Sequence, residues 1–371
     1  MILFLHNRYR TTGGEERAVE DLLWLVREEL DEDAELLTRD SAAIGRARAA
    51  GGLLRGGLAP DQVAAAVRRT GARVVHAHNV NPSLGWRALA AAREAGARTV
   101  LHLHNYRLVC AVGTCFTRGE DCTRCHGRNT APGVRRNCRG GGAEAAVYGA
   151  ALALWQRRLA ACADTFVTPS AFAVTRLREL GAPLHDVSVV PNTAREIARG
   201  SRAAAGTYAL VASRLSPEKG VDSAIDACRR AGVPLVIAGD GPQSAELSAR
   251  AGGADVRFLG RVAPERMSEL RAGAALALVP SRCSESSIPL AAVEGLAAGI
   301  PLVATRVGAI PELAPAAALV PAADPEAMAA AIAGRFGDER AGEEGRRRIE
   351  AVAAPEVVAP ALRAVYDGTG G

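Results

Sequence analysis

Two cations in one loop are the clearest candidates for chemistry. Arg214 and Lys219 stand five residues apart in the segment Ser213–Gly220, which follows an apolar run and precedes a helical pattern. Arginine binds a diphosphate as a planar fork and lysine binds it as a point charge, so the loop suits such a ligand. Lys219 is the only lysine among 45 basic residues. A solvated turn with surface charges is the alternative interpretation of this loop by itself.

A second candidate set lies in the segment Ser281–Gly299. It runs through Glu285 and Ser286 to Pro289 and Leu290, which open a predicted helix that contains Glu294. Proline suits a first helical turn, and the free N–H groups there can hold an anion. The carboxylate of Glu294 can accept hydrogen bonds from sugar hydroxyls. An ordinary exposed glutamate is the alternative for this position.

Five of the eight cysteines fall within one segment that follows His104: Cys110, Cys115, Cys122, Cys125 and Cys138. Cys122 and Cys125 have the spacing of a zinc knuckle, and Cys138 with Cys110 or Cys115 could complete four ligands. Structural zinc, free or redox-active thiols, and disulfides are the three interpretations, and a reducing compartment favours metal over disulfides. We expect no metal in catalysis itself.

Four histidines occur as two pairs with a spacing of two, His76 with His78 and His102 with His104. Side chains alternate between the faces of a strand, so we expect the members of each pair to point apart. That expectation argues against a zinc or iron cluster of four histidines. His76 is expected to be a packed interior residue.

The elements that position these residues follow from length and pattern. A chain of 371 residues is long enough for two cores. Short apolar runs alternate with segments of helical period, which predicts an α/β protein made of two doubly wound halves. The expected organisation is an N-terminal domain over 1–193 with a cysteine-rich insertion over 106–142, a linker over 194–206, a C-terminal domain over 207–349, and a helical tail over 350–371 that can cross back to the first half. We also predict an ordinary helix over 316–331.

Charge and hydropathy exclude some classes of protein. The net charge of +5 is scattered along the chain, which does not favour a nucleic acid as partner. The N-terminal run Met1–His6 has no basic flank or cleavage signal, and no stretch reaches the roughly 18 uninterrupted apolar residues of a membrane span. We expect a soluble, cytoplasmic protein, with peripheral membrane contact and oligomeric state left open.

The order of the motifs resembles glycosyltransferase family 4. The chain resembles the donor-binding half of that family at Arg214…Lys219, Ala238-Gly239-Asp240-Gly241-Pro242, Leu259-Gly260, Pro280-Ser281 and Glu294–Pro301. It resembles the first half of the family at Gly13-Gly14-Glu15, Leu103–Arg107, Pro169–Phe172 and Val190–Asn192. The resemblance therefore spans nearly the entire chain.

This resemblance implies a GT-B fold, with two Rossmann-like domains facing across a cleft. It also implies transfer of a sugar, with retention of configuration, from a nucleotide-diphosphate sugar of the UDP or GDP type to a hydroxyl acceptor. Arg214 and Lys219 would neutralise the leaving diphosphate. Glu294 would bind the ribose, and His104 would contact the transferred sugar.

Further roles carried over from the family concern the backbone. Gly13 and Gly14 would let the main chain approach phosphates or acceptor closely. Gly260, Arg261 and Val262 would recognise the base through main-chain atoms, and the segment Ser284–Leu290 would select the sugar.

One departure from the family's pattern concerns its first glutamate. The family has two glutamates separated by seven residues, and counting back from Glu294 gives Ser286, with Glu285 beside it. We expect the loop to bulge by one residue so that Glu285 reaches the donor sugar. A changed role at this position is the alternative.

Two other functions remain compatible with the sequence. A sugar-nucleotide epimerase of the same two-domain plan would act on the donor without an acceptor. A non-catalytic, two-lobed ligand-binding protein would also use two βαβ halves.

Overall fold

The computed structural model describes residues 1–10 and 13–369. Contacts between residues divide the chain into two compact units. The first unit contains residues 1–117, 122–191 and 355–369, and the second contains residues 118–121 and 192–354.

The first unit is built on a six-stranded parallel sheet with the order β2-β1-β3-β4-β7-β8. In chain order the strands up to residue 189 are β1 (Ile2–Arg8), β2 (Ala34–Asp40), β3 (Val74–Ala77), β4 (Arg98–His102), β5 (Phe116–Thr117), β6 (Glu120–Asp121), β7 (Thr165–Thr168) and β8 (Val187–Val189). Strands β5 and β6 pair only with each other. The helices are α1 (Gly14–Glu28), α2 (Arg46–Arg55), α3 (Pro60–Thr70), α4 (Gly85–Glu94), α5 (Ala131–Arg135), α6 (Gly142–Ala161) and α7 (Ala171–Glu179).

The second unit contains another six-stranded parallel sheet, with the order β11-β10-β9-β12-β13-β14. Its strands are β9 (Tyr208–Ala212), β10 (Leu235–Ala238), β11 (Val256–Phe258), β12 (Ala274–Val279), β13 (Leu302–Thr305) and β14 (Leu319–Val320). The remaining helices are α8 (Val221–Ala231), α9 (Ser244–Arg250), α10 (Pro264–Ala272), α11 (Leu290–Ala297), α12 (Ile310–Leu313), α13 (Pro325–Arg335), α14 (Glu339–Ala353) and α15 (Pro355–Asp367).

Both sheets are covered on both faces, which explains why their strands read as continuous apolar runs. In β1, Ile2 and Phe4 pack into one core while Leu3 and Leu5 pack into the core on the opposite face. Each of these four side chains is fully buried. Parallel sheets of this kind require a hydrophobic layer on each side.

The tail helix α15 belongs to the first unit. Its residues Val358, Leu362 and Val365 are buried in the same core as Ile2 and Phe4 of β1. Arg363 donates a hydrogen bond to the carbonyl of Leu30, at 2.8 Å. The apolar spacing of this helix therefore completes one face of the first sheet.

The helix predicted over 316–331 is wrong in its first half. Residues 316–318 form a single 3₁₀ turn, residues 319–320 form β14, and α13 begins only at Pro325. Pro321 follows β14 directly and disfavours the helical conformation for the residue before it. Asp324 then caps α13 by accepting a hydrogen bond from the N–H of Ala327, at 2.9 Å.

Within residues 1–10 and 13–369, none of the helices combines the length and the apolar character that crossing a bilayer requires.

Candidate functional site

The strand order of the second sheet creates a topological switch point. Strands β9 and β12 are neighbours, although β10 and β11 lie between them in the chain. The connections from β9 and from β12 therefore run to opposite sides, which opens a crevice at the carboxyl ends of these strands. The loop 213–220 follows β9 and the loop 280–289 follows β12, so both candidate segments lie at this point.

An ion pair joins these two loops. The ammonium of Lys219 donates a hydrogen bond to Oε1 of Glu285 at 2.6 Å, and the hydroxyl of Ser281 donates to the same oxygen at 2.6 Å. The side chains of Lys219 and Glu285 are 26% and 12% exposed. Burial lowers the pKa of Lys219, but the neighbouring carboxylate of Glu285 outweighs that effect and raises the pKa above its usual value. The ammonium is thus charged at neutral pH.

Close backbone packing fixes both members of the pair. Gly220, directly after Lys219, has a φ of +63°, and a Cβ there would lie 2.2 Å from the carbonyl oxygen of Pro280. Gly308 has a φ of +56°, and a Cβ there would lie 2.2 Å from the backbone nitrogen of Glu285. Only glycine permits these approaches. The N–H of the next residue, Ala309, donates to the carbonyl of Glu285 at 2.9 Å.

The structure therefore brings Glu285, not Ser286, onto the predicted lysine. Ser286 is buried at 9% exposure. The contact of Glu285 with a donor sugar stays a prediction, but its carboxylate lies at the position where the two loops meet.

Arg214 lies earlier in the same loop as Lys219 and its side chain is exposed. The segment after β10 packs against this loop. The N–H of Leu215 donates to the carbonyl of Asp240 at 3.1 Å. Gly239 has a φ of +144°, and a Cβ there would lie 1.8 Å from the carbonyl oxygen of Ser213. The Ala-Gly-Asp-Gly-Pro motif thus shapes the cationic loop.

Glu294 has a partner that the sequence did not reveal. Its Oε2 accepts a hydrogen bond from Nη1 of Arg271 at 2.7 Å, and the two side chains are 28% and 18% exposed. Arg271 lies in α10 and Glu294 in α11. The ion pair orients the carboxylate and leaves it accessible to a further donor such as a hydroxyl.

The other candidates for donor binding lie in loops of the second unit, after β11 or just before α11. Pro289 is the residue just before α11, and Leu290 is its first residue, so the helix begins one residue later than the proline. Gly260 follows β11 with a φ of +64°, and its carbonyl accepts from the N–H of Gly239 at 2.7 Å. Arg261 is exposed, and Val262 is half-buried against the core.

In the first unit, a polar cluster surrounds the start of α1. The hydroxyl of Tyr9 donates to Oε2 of Glu15 at 2.7 Å, and Nδ2 of Asn105 donates to the same oxygen at 2.9 Å. The guanidinium of Arg107 lies 4.7 Å from the centre of the Tyr9 ring. Burial, followed by the charge of Glu15, raises the pKa of Tyr9 well above its usual value, so the phenol remains a donor.

This cluster was missed as a site by sequence reasoning. Glu15, Asn105 and Arg107 all stand in motifs that resemble the family, beside the predicted Gly13 and His104, but no role was assigned to them. A signal for them is present in the sequence, because all three are charged or amide residues that follow a buried strand. In an α/β protein, ligands bind at the carboxyl ends of the strands.

Gly13 is the residue before α1 and Gly14 is its first residue. The N–H of Gly13 donates to Oε2 of Glu16 at 2.8 Å, and the N–H of Tyr9 donates to Oε1 of the same carboxylate at 3.1 Å. Both glycines are exposed. The nearest atom to a Cβ at Gly13 would be 3.7 Å away, so the chain's own packing does not demand a glycine there.

The expected separation of the paired histidines is wrong. The ring centroids of His76 and His78 lie 4.4 Å apart, and those of His102 and His104 lie 3.9 Å apart. The physical reason is that side chains two residues apart in a strand lie on the same face, because the alternation has a period of two. His76 lies in β3 and His102 at the end of β4, and His78 and His104 follow two residues later, so the members of each pair stay on one side.

The histidines form a hydrogen-bonded stack. Nδ1 of His76 lies 2.9 Å from the hydroxyl of Tyr366, Nε2 of His76 lies 3.3 Å from Nδ1 of His102, and Nδ1 of His78 lies 2.8 Å from Nε2 of His104. Burial lowers the pKa of His76 to about 3 and also lowers the pKa values of His78, His102 and His104. The stack is neutral at pH 7, and His76 is an interior residue as expected.

The five cysteines of the insertion line one cavity in the first unit. A hydrogen bond from Cys115 lowers the pKa of the Cys110 thiol to about 6, whereas burial raises the pKa of Cys125 to about 11. All eight cysteines of the chain are free thiols in the structure.

Comparisons with known proteins agree with this arrangement of motifs. The model of the glycosyl transferase 4-like domain matches residues 13–193, and the model of the glycosyl transferases group 1 matches residues 206–338. The chain belongs to the family 4 type of glycosyltransferases. The region matched by the first model includes Glu15 and His104, and the region matched by the second includes every candidate residue from Arg214 to Glu294.

Curated relatives within this group match part of the chain. An exopolysaccharide phosphotransferase of Streptomyces coelicolor is 35% identical over 173 residues, which are 43% of this chain and 18% of the relative. A protein of Mycobacterium tuberculosis, named as a GDP-mannose-dependent alpha-(1-6)-phosphatidylinositol dimannoside mannosyltransferase, is 41% identical over 106 residues, or 27% of each chain. The chain thus aligns with less than a third of the length of either relative.

Solved structures show the fold over the whole chain. A sucrose-phosphate synthase from Thermosynechococcus elongatus superposes with a TM-score of 0.71 at 17% identity, covering 99% of both chains. An Anabaena protein crystallised with UDP and glucose superposes with a TM-score of 0.67 at 17% identity, again covering 99% of both chains. The fold of this family member is therefore of the GT-B type, with two Rossmann-like units.

Proposed function

We propose that this chain transfers a sugar, with retention of configuration, from a nucleoside diphosphate sugar to a hydroxyl group of an acceptor. The observation that carries the proposal is the partly buried Lys219–Glu285 ion pair at the switch point of the second sheet. Open α/β sheets bind their ligands at this place. A charge pair that joins two loops there supplies groups of opposite sign for a sugar joined to a diphosphate.

The lysine serves the diphosphate. As the bond between the sugar and the diphosphate breaks, negative charge grows on the leaving phosphate oxygen. The ammonium of Lys219 is held charged by Glu285 and is positioned before the reaction, which is the condition for stabilising such charge efficiently. Arg214, exposed on the same loop, adds a planar fork that suits a second phosphate oxygen.

The carboxylates serve the sugars of the donor. Glu285 retains acceptor capacity beyond its bonds with Lys219 and Ser281, so its second oxygen can accept from a hydroxyl of the transferred sugar. Glu294, oriented by Arg271, can accept from the ribose hydroxyls. Main-chain atoms of residues 260–262 would recognise the base. One relative is named for GDP-mannose and one structural neighbour holds UDP, so both bases belong in the test.

In the first unit we assign His104 a contact with the transferred sugar and the Tyr9–Glu15–Asn105 cluster a part in holding the acceptor. Because burial lowers the pKa of His104, the ring is neutral at pH 7 and can both donate and accept a hydrogen bond. We place the reaction in a reducing cytoplasm, in keeping with eight free thiols.

Calorimetry with UDP and GDP tests the donor site directly. We expect one nucleotide to bind, and we expect Lys219→Met and Arg214→Ala to weaken that binding by about tenfold or more. Arg230→Ala, which removes an exposed charge at the end of α8, is the matched control and should leave binding unchanged. Normal binding by the Lys219 and Arg214 variants would contradict the proposal.

A donor screen by mass spectrometry then tests the reaction. We expect a nucleotide sugar to be consumed only when an acceptor is present, and NMR of the product should show the anomeric configuration of the donor. Consumption without an acceptor would indicate an epimerase or a hydrolase instead. A product with the inverted anomeric configuration would contradict retention but not the transfer of a sugar.

A further inference from the structure

The insertion between β4 and α6 has little regular structure, although its first part packs into the core of the first unit through Tyr106, Leu108 and Val109. Between residues 106 and 141 it contains two strands of two residues each and one helix of five residues. Segments of this size that lack a core of their own are usually held together by a metal or by disulfides. Five cysteines lie within it, and none of these five is in a disulfide.

These cysteines converge although they are spread over 29 positions of the sequence. Cys110, Cys115, Cys122, Cys125 and Cys138 all line the same cavity. Turns of the backbone bring them there. The N–H of Cys122 donates to the carbonyl of Cys115 at 2.7 Å, and the N–H of Cys138 donates to the carbonyl of Gly133 at 3.1 Å.

Cys115 differs from the other four cysteines in its interactions. Cys125 interacts electrostatically with Cys110, Cys122 and Cys138, whereas Cys115 is hydrogen-bonded to Cys110. The sulphur of Cys125 lies over Gly133, where a Cβ would be only 3.3 Å away, so a small residue leaves room beside it. Cys115 therefore occupies the position of a neighbour that donates to a ligand.

Two arginines, Arg124 and Arg136, also contribute to the lining of the cavity. Four thiolates around a divalent cation carry a net charge of about two negative units. Positive side chains near the cluster would offset part of that charge.

We propose that Cys110, Cys122, Cys125 and Cys138 bind one structural Zn²⁺ ion, with Cys115 donating a hydrogen bond to the sulphur of Cys110. The ion would join the start of the insertion to its end. Cys110 lies three residues after Arg107, so the ion would also hold the segment that carries Asn105 and Arg107. A site of four thiolates is closed, and its role is structural rather than catalytic.

Binding requires the sulphurs to move inward. Among residues 1–10 and 13–369, His76, His78 and His102 form the only group of three ligand atoms that all lie within 4.8 Å of one another. Zn–S bonds are about 2.3 Å long, so the thiol side chains must rotate toward a common centre. The histidines are the weaker candidates, because both ring nitrogens of His76 already have hydrogen-bond partners.

Metal content measured on the full chain tests the site. Protein expressed without a histidine tag and purified without chelators should contain one zinc per chain by inductively coupled plasma mass spectrometry. The double variant Cys122→Ser/Cys125→Ser should contain less than a tenth of that amount. Cys115→Ser and Cys228→Ser are matched controls, since the first removes the fifth thiol and the second removes a buried thiol in α8, and both should retain the metal.

A measurement on the unaltered chain keeps the proposal testable if the double variant does not fold. Replacement of zinc by Co²⁺ should produce the intense thiolate-to-metal absorption and the visible bands of a tetrahedral sulphur site. Absence of metal together with absence of these bands would overturn the proposal. So would zinc that persists in the double variant but is lost from His102→Gln, or disulfides among these cysteines in protein alkylated at lysis. None of these readouts depends on the transferase activity.

Discussion

Neutralising the two members of the Lys219–Glu285 pair separately should change nucleotide affinity in opposite directions. Lys219→Met removes the ammonium that we assign to the diphosphate. Charge-assisted hydrogen bonds contribute about 1.5–3 kcal/mol, so we expect UDP or GDP to bind about 10- to 150-fold more weakly. Glu285→Gln keeps a side chain of the same shape that can still accept from Ser281.

The gain expected for Glu285→Gln follows from the distance within the pair. The carboxylate lies 2.6 Å from the ammonium, so a phosphate oxygen bound on the far side of Nζ would lie about 5 Å from the carboxylate oxygen. Two negative charges at that distance repel each other by about 3 kcal/mol at an effective dielectric constant of about 20. This distance is shorter than the Debye length of about 8 Å, so salt leaves about half of the repulsion, about 1.5–2 kcal/mol, or about 10- to 30-fold tighter binding of the free nucleotide.

Turnover should fall in both variants, because Glu285 is also assigned a contact with the donor sugar. Isothermal titration calorimetry at two salt concentrations gives the affinities, and initial rates with the donor found by the screen give turnover. Glu246→Gln, which removes an exposed carboxylate in α9, is the control for a general change in charge. If Glu285→Gln weakened nucleotide binding as much as Lys219→Met, the carboxylate could not be acting against the diphosphate, and our division of roles would be refuted.

Three further predictions concern packing, the donor ribose and pH. Gly308→Ala should lower the free energy of unfolding by about 1–3 kcal/mol in urea titrations, because Gly308 has a φ of +56° and a Cβ there would lie 2.2 Å from the backbone. Gly334→Ala in α13 is the control: no atom lies within 4 Å of the new Cβ, so this variant should raise the free energy of unfolding by about 0.5–1 kcal/mol. Glu294→Gln should raise the KM for the donor while changing the melting temperature little, since its ion pair with Arg271 is partly exposed, and an unchanged KM would exclude ribose binding. The unfolding free energy should fall as the pH drops from about 6.5 toward 3, because the buried ring of His76, with its pKa of about 3, stays neutral while the unfolded chain takes up a proton. For this one histidine the loss should be about 2 kcal/mol at pH 5, and a flat stability profile between pH 7 and 5 would contradict the prediction.

Much of the fold could be predicted because the strands are buried on both faces. Runs such as Leu235–Ala238 and Thr165–Thr168 contain only residues that fit a covered parallel sheet, and they form β10 and β7. The two-residue strand β14 is too short to produce a pattern. The failure over 316–331 has the same origin, since alanine favours a helix locally while three prolines at 315, 321 and 325 divide the segment.

The site could be predicted only as far as one loop at a time. Arg214 and Lys219 are visible as a cationic loop, but the partner of Lys219 is 66 residues away in sequence. That pairing depends on the order of strands in the sheet, which local patterns do not encode. The partnership of Glu294 with Arg271 is hidden for the same reason. The histidine stack shows a local error instead, because side chains two residues apart in a strand share a face and the members of each pair therefore do not point apart.

Strand order also explains why both units place their polar residues in the same way. In the first sheet the order reverses between β1 and β3, and Tyr9 and Glu15 follow β1 while His78 follows β3. In the second sheet it reverses between β9 and β12, where Lys219 and Glu285 meet. The place of each cluster is therefore set by topology, and the side chains there are free to change as long as the strands keep their order. This accounts for a fold shared over 99% of the chain at 17% identity, and it means that substrate differences among such relatives should be sought in these loops rather than in the sheets.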